Sequence, residues 1–75
     1  MMIWKISQRV NNDYDTYSDA VVVATDAETA RRIHPGGEYG DLYTWAAPED
    51  VTVELLGVAM GDPPSGVVVA SFHAG

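Results

Sequence analysis

Six residues near the end of the first third of the chain restrict its fold more than any others. Ala20-Val-Val-Val-Ala-Thr25 is a short, nearly continuous apolar run rich in β-branched side chains. Such a run suits a central strand with both faces covered. The pattern switches at Thr25 and Asp26, either of which can cap a helix. Thr25-x-x-Glu28 also has the spacing of a capping box. A helix is predicted over Ala27–His34, with Ala27, Ala30 and Ile33 or His34 on one side. Two alanines on that side let the helix sit close to a sheet. At under three turns it cannot stand alone, so packing must hold it. Pro35-Gly36-Gly37 stops it.

The flanking segments supply the rest of the sheet. Met2 to Gln8 alternates, with Met2, Trp4 and Ile6 pointing one way and Lys5 and Ser7 the other. Ile3 interrupts the polar side. Val10–Asp19 reads as a loop or the bend of a wide hairpin. Leu42–Ala46 reads as a short strand, and Pro48-Glu49-Asp50 as a turn. A strand follows over Val51–Val58, with Val51, Val53 and Leu55 on one face and Leu56 and Val58 on the other. Gly61–Gly66 reads as a proline-stiffened hairpin connection, and Val67–Phe72 closes the sheet. The prediction is one α+β domain over residues 1–75. It has an antiparallel or mixed sheet of four to five strands, one short helix packed on one face, and the order β-β-α-β-β-β. One helix cannot cover both faces of such a sheet. Ile3, Leu56, Val58 and some of the tyrosines are expected on the uncovered side, as a dimer or partner surface.

Composition narrows the function classes. A chain of 75 residues has a small core, and such domains often add a staple. With no cysteine, disulfides and thiolate zinc sites are excluded. Self-association is the staple that remains, so a homo-oligomer, dimer or higher, is expected. Four basic residues against eleven acidic ones give a net charge of −7. That balance opposes direct nucleic-acid binding and docking on anionic lipid. No stretch approaches the length of a membrane span, and Met1–Val10 lacks the apolar centre of a signal peptide.

Several clusters are candidate sites, each with a structural alternative. Asp13, Tyr14, Asp15 and Tyr17 place two carboxylates and two phenols in one loop, suited to protein recognition. The alternative has one tyrosine packing back on the sheet while Asp15 makes a turn. Tyr39, in a glycine-rich loop, and Asp41 join the partner-binding candidates. Arg31, Arg32 and His34, with Tyr39, form the only basic cluster and the candidate site for an anionic, nucleotide-like ligand. The alternative is that these cations offset the negative end of the helix dipole. Gly36-Gly37 lacks the context of a phosphate loop. His34, Glu38 and His73 fix no metal geometry, and Ser7, Ser18, Ser65 and Ser71 show no His/Asp partner by spacing. Trp4 is expected in the core. No enzymatic activity and no cofactor are expected.

Four spaced blocks carry a resemblance: Trp4-Lys-Ile-Ser-Gln8, Tyr14-Asp-Thr-Tyr17-x-x-Ala-Val-Val22, Ala30-x-x-x-His34-Pro35 and Ala70-Ser-Phe-x-Ala-Gly75. Together they resemble a family of short proteins of unknown function encoded by tailed bacteriophages and prophages. The resemblance implies a setting, the cytoplasm of a bacterial host, and no catalytic residue. The function it implies is binding: inhibition or modulation of a host protein, including a defence protein, or contact with a phage protein. Sequestration of a small anionic ligand and a virion-associated or accessory structural role are the alternatives.

Overall fold

The computed structural model describes residues 1–12, 15–37, 44–61 and 66–73, the side chains of Val69, Phe72 and His73 excepted. Among them, strands β1 (Met2–Ser7), β2 (Thr16–Ala24), β3 (Thr52–Val58) and β4 (Gly66–His73) accompany one helix, α1 (Ala27–Arg31), and a 3₁₀ turn, Pro48–Asp50. All strand pairs are antiparallel, in the spatial order β3-β1-β2-β4. This is a small α+β fold with a short helix on one face, as the pattern predicts.

The helix stops earlier than expected. Arg32 is its C-cap, and Arg32 N–H and Ile33 N–H donate to the Thr29 and Ala30 carbonyls, three residues back. Pro35 disfavours helical backbone at the residue before it, and Gly37 takes a left-handed φ of 81°. At the start, Asp26 is the N-cap, its carboxylate accepting the Thr29 N–H at 2.8 Å.

Three further expectations are corrected. The segment after Gly61 is not a hairpin connection, because β3 and β4 lie at opposite edges of the sheet. Val58 pairs with Met2 and Gly66 with Val23, so β3 ends and β4 begins at the same end of the sheet with β1 and β2 between them. Proline and glycine marked the break correctly; they carry no information on which strand lies beside which. Second, β2 begins at Thr16, inside the stretch read as loop. The predicted strand Leu42–Ala46 is bent, irregular backbone at Thr44–Ala46, and Leu42 and Tyr43 lie outside the described residues.

The core lies on the helix side. Ile6, Ala20, Val22 and Ala24 from the sheet meet Ala30, Trp45, Ala46 and Val51. Trp4 packs against this cluster and donates its indole N–H to the Ala24 carbonyl at 3.1 Å. The alanines do what their size allows: Ala30 is fully buried where the helix crosses the sheet.

Candidate functional site

Register shifts decide which side chains reach which surface. Between Tyr17 and Asp19 the β2–β4 register slips by one residue, with Ser18 the extra one. Tyr17 pairs with Phe72 and Ala20 with Ala70, so Tyr17 lies on the helix face despite its odd spacing from Ala20. Its ring packs on the core and meets His34 edge-on, with centroids 6.1 Å apart. Asp15, beside it, is exposed at a left-handed φ of 62°, a conformation that aspartate tolerates. Of the acidic, tyrosine-bearing surface, then, Asp15 faces solvent and Tyr17 turns inward. Asp13, Tyr14, Tyr39 and Asp41 lie outside the described residues.

Arg31 and His34 of the basic cluster are spent on structure, while Arg32 stays exposed. Arg31 donates from Nη1 to the carbonyls of Val51 at 2.8 Å and Pro48 at 3.4 Å, tying the helix to the 3₁₀ turn. Its Nε lies 3.3 Å from Glu28, and Arg32 lies 3.8 Å from the same carboxylate. The groove beside them, about 530 Å³, is walled by Glu28 and Glu49 as well as both arginines and Pro48. Two carboxylates against two guanidinium groups offer a phosphate no net positive charge. His34 is buried, with Nδ1 accepting the Gly36 N–H at 2.9 Å, which leaves Nε2 to donate to Thr44 Oγ at 3.2 Å. Both ring nitrogens are thus engaged within the chain.

Gln8 is a buried polar residue that the sequence reading passed over. Its Nε2 donates to the carbonyls of Asn11 and Tyr17, each at 2.7 Å. Its Oε1 accepts the N–H groups of Val10 at 3.0 Å and Asn11 at 2.8 Å. Asn11 Nδ2 in turn donates to the Trp45 carbonyl at 3.3 Å, and Tyr17 N–H to the Thr44 carbonyl at 2.8 Å. This network ties the Gln8–Asn11 loop and the irregular segment at Thr44–Trp45 to the end of the sheet.

The outer edge of β3 is built in the opposite way. Its pairing with β1 shifts between Ile3 and Trp4, so Leu55 lies opposite Trp4, Val58 opposite Met2, and Leu56 is the extra residue. Leu55 and Val58 therefore share the helix face, which corrects the simple alternation. Neither is covered, because the helix does not reach that far. Leu55, Leu56, Val58 and Met60 keep 53, 52, 70 and 96% of their surface in water. Glu54 is the one charged residue of the strand. Among the described residues no strand pairs with this edge, so backbone groups and an apolar strip are offered together.

Covering the strip would release roughly 4–8 kcal/mol at the usual worth of a buried aliphatic side chain. Association costs about 4–15 kcal/mol in lost freedom, so side chains alone leave a weak complex. Strand pairing along the edge adds the directional part. On the open face lies a depression of about 170 Å³, lined by Lys5, Asp19, Ala20, Val21, Ala70 and Ser71. It is smaller than the roughly 300 Å³ at which small-molecule sites begin.

No helix among the described residues is long and apolar enough to cross a membrane. No protein family, curated protein or solved structure matches the chain.

Proposed function

We propose that this chain is a non-enzymatic interaction protein that binds a protein partner along the outer edge of β3. The observation that carries this reading is the strip Leu55, Leu56 and Val58, exposed on a strand with a single charge, with exposed Met60 just beyond its end. An extended segment of the partner would add to the sheet, its apolar side chains covering the strip. The acidic surface around Asp15 would then act at longer range, steering a basic partner toward the site. The resemblance to phage and prophage proteins supplies the setting of the proposal: a bacterial cell in infection or lysogeny, with a host protein blocked or redirected.

The sequestering alternative loses weight, because Arg31 and His34 already hold the fold together and Glu28 and Glu49 share the groove. The test is affinity capture from the bacterial host with three baits. Wild type and Asp15→Lys should retain a common partner, the latter with slower association, while Leu56→Lys should lose it. Capture that survives Leu56→Lys but disappears with Asp15→Lys would move the site to the acidic loop. A bait that retains nothing in any form sinks the reading.

A further inference from the structure

Among the described residues β4 forms the other edge of the sheet, and its different character points to a different occupant. Lys5 stands in β1, Asp19 in β2 and Glu54 in β3, whereas β4, Gly66–His73, contains no Asp, Glu, Lys or Arg. This is the only strand described without one, in a chain of net charge −7. Charge decides what such an edge can pair with. In a two-fold symmetric strand pair each residue lies near copies of its own neighbours, so a charge close to the axis meets its like. For an acidic chain, a neutral strand is where a copy of itself can approach at least cost. Val67 and Val68 are exposed at one end, where Val68 is an extra residue that breaks the regular edge, and Ser71 is exposed further along, in a stretch with no lysine or proline to guard it. From Val69 to His73 the strand is unbroken, because the slip at Ser18 falls on β2.

We propose that two copies of this chain pair antiparallel along β4, forming one continuous sheet twice as wide, with both helices on the same face. This goes beyond the partner-binding reading and does not depend on it. The geometry sends the two β3 edges to opposite ends of the joined sheet, so the dimer is bivalent for whatever β3 binds. A single edge strand offers less than the roughly 800 Å² per partner of a standard interface, so the dimer dissociates in the micromolar range or weaker.

Sedimentation equilibrium of the purified chain alone, over a dilution series, tests this without any partner. A monomer–dimer equilibrium is expected, tightening as salt is raised to about 0.5 M, because screening removes the repulsion between two acidic chains. Ser71→Glu and Ser71→Lys should each raise the dissociation constant by about tenfold or more, since either charge would face its copy. Far-UV circular dichroism shows whether these surface variants keep the fold, and Val68→Lys is the second site if either does not. Leu56→Lys should leave the equilibrium unchanged. A monomer at all concentrations overturns the proposal. So does a dimer that Leu56→Lys dissolves while the Ser71 variants do not. Opposite effects of Ser71→Glu and Ser71→Lys would trace association to net charge and overturn it as well.

Discussion

The end of the sheet around Gln8 and the outer edge of β3 are opposites in how they treat their exposed or buried groups. At the first, a glutamine that ought to be wet is buried, and every hydrogen-bonding group of its amide has a partner. At the second, leucine, valine and methionine that ought to be dry stand in water. The first arrangement spends sequence on holding loops against a sheet. The second leaves free energy uncollected, which in a domain this small only an interaction can use. Substitutions should therefore separate the two regions cleanly, by stability in one and by association in the other.

The largest effect is expected at Trp45, whose ring fills the core beneath the irregular segment and is buried. Trp45→Ala should cost about 3–5 kcal/mol. A domain of this length has about 4–11 kcal/mol in total, so the variant should be partly unfolded at room temperature in urea titrations followed by circular dichroism. A loss under about 1 kcal/mol would show that the segment around Trp45 is not part of the cooperative unit. Next comes Gln8→Leu, which keeps the volume and removes four hydrogen bonds. Two N–H groups and two carbonyls would lose their partner, for an expected loss of about 2–4 kcal/mol. Amide exchange at Val10 and Asn11 should accelerate in step, and unchanged exchange there would mean that water replaces the glutamine without cost.

Much of the fold was legible because its signals are local. The β-branched run at Val21–Val23 and the cap at Asp26 each act within a few residues, and each stands where the pattern puts it, whereas the helix ends at Arg31, short of Pro35-Gly36-Gly37. What was not legible depends on pairing between distant segments. Ser18 as an extra residue cannot be seen without β4 opposite it, yet it alone carries Tyr17 from the open face to the core. Leu56 does the same to Val58. The separation of β3 from β4 is likewise a matter of which strands are neighbours, and turn composition is silent on that. For the site, the apolar excess of Leu56 and Val58 was visible. Its position on an edge, joined by Leu55 and Met60, was not. Arg31 and His34 looked available only because Val51, Pro48 and Gly36 are distant or unremarkable in sequence.

A smaller effect is expected at the helix start, and it depends on pH. The Thr29 backbone N–H, bonded to the Asp26 carboxylate, holds that carboxyl below its ordinary value. Because the folded value is the lower one, the carboxylate stabilises the fold above the unfolded value, near 4, and that contribution disappears as pH falls through the folded value. Asp26→Asn keeps a good cap without the charge, so its melting temperature should match wild type more closely in acid than at neutral pH. A difference that does not change with pH would assign the cap's worth to hydrogen bonding alone.

The smallest effect on stability is expected where the effect on binding is largest. Leu56 and Met60 are half or fully exposed, so replacing both with lysine removes little packing and should change unfolding free energy by no more than about 0.5 kcal/mol. Charged side chains on an edge also discourage unwanted strand pairing, so the double variant should stay dispersed at concentrations where wild type precipitates. The comparison fails if the double variant loses several times that stability. Such a loss would mean that Leu56 and Met60 are covered within the chain itself, and that the apolar strip belongs to the core and not to a partner. A variant as stable as wild type that no longer captures the partner would complete the separation: one end of the sheet built to hold, the other edge left free to bind.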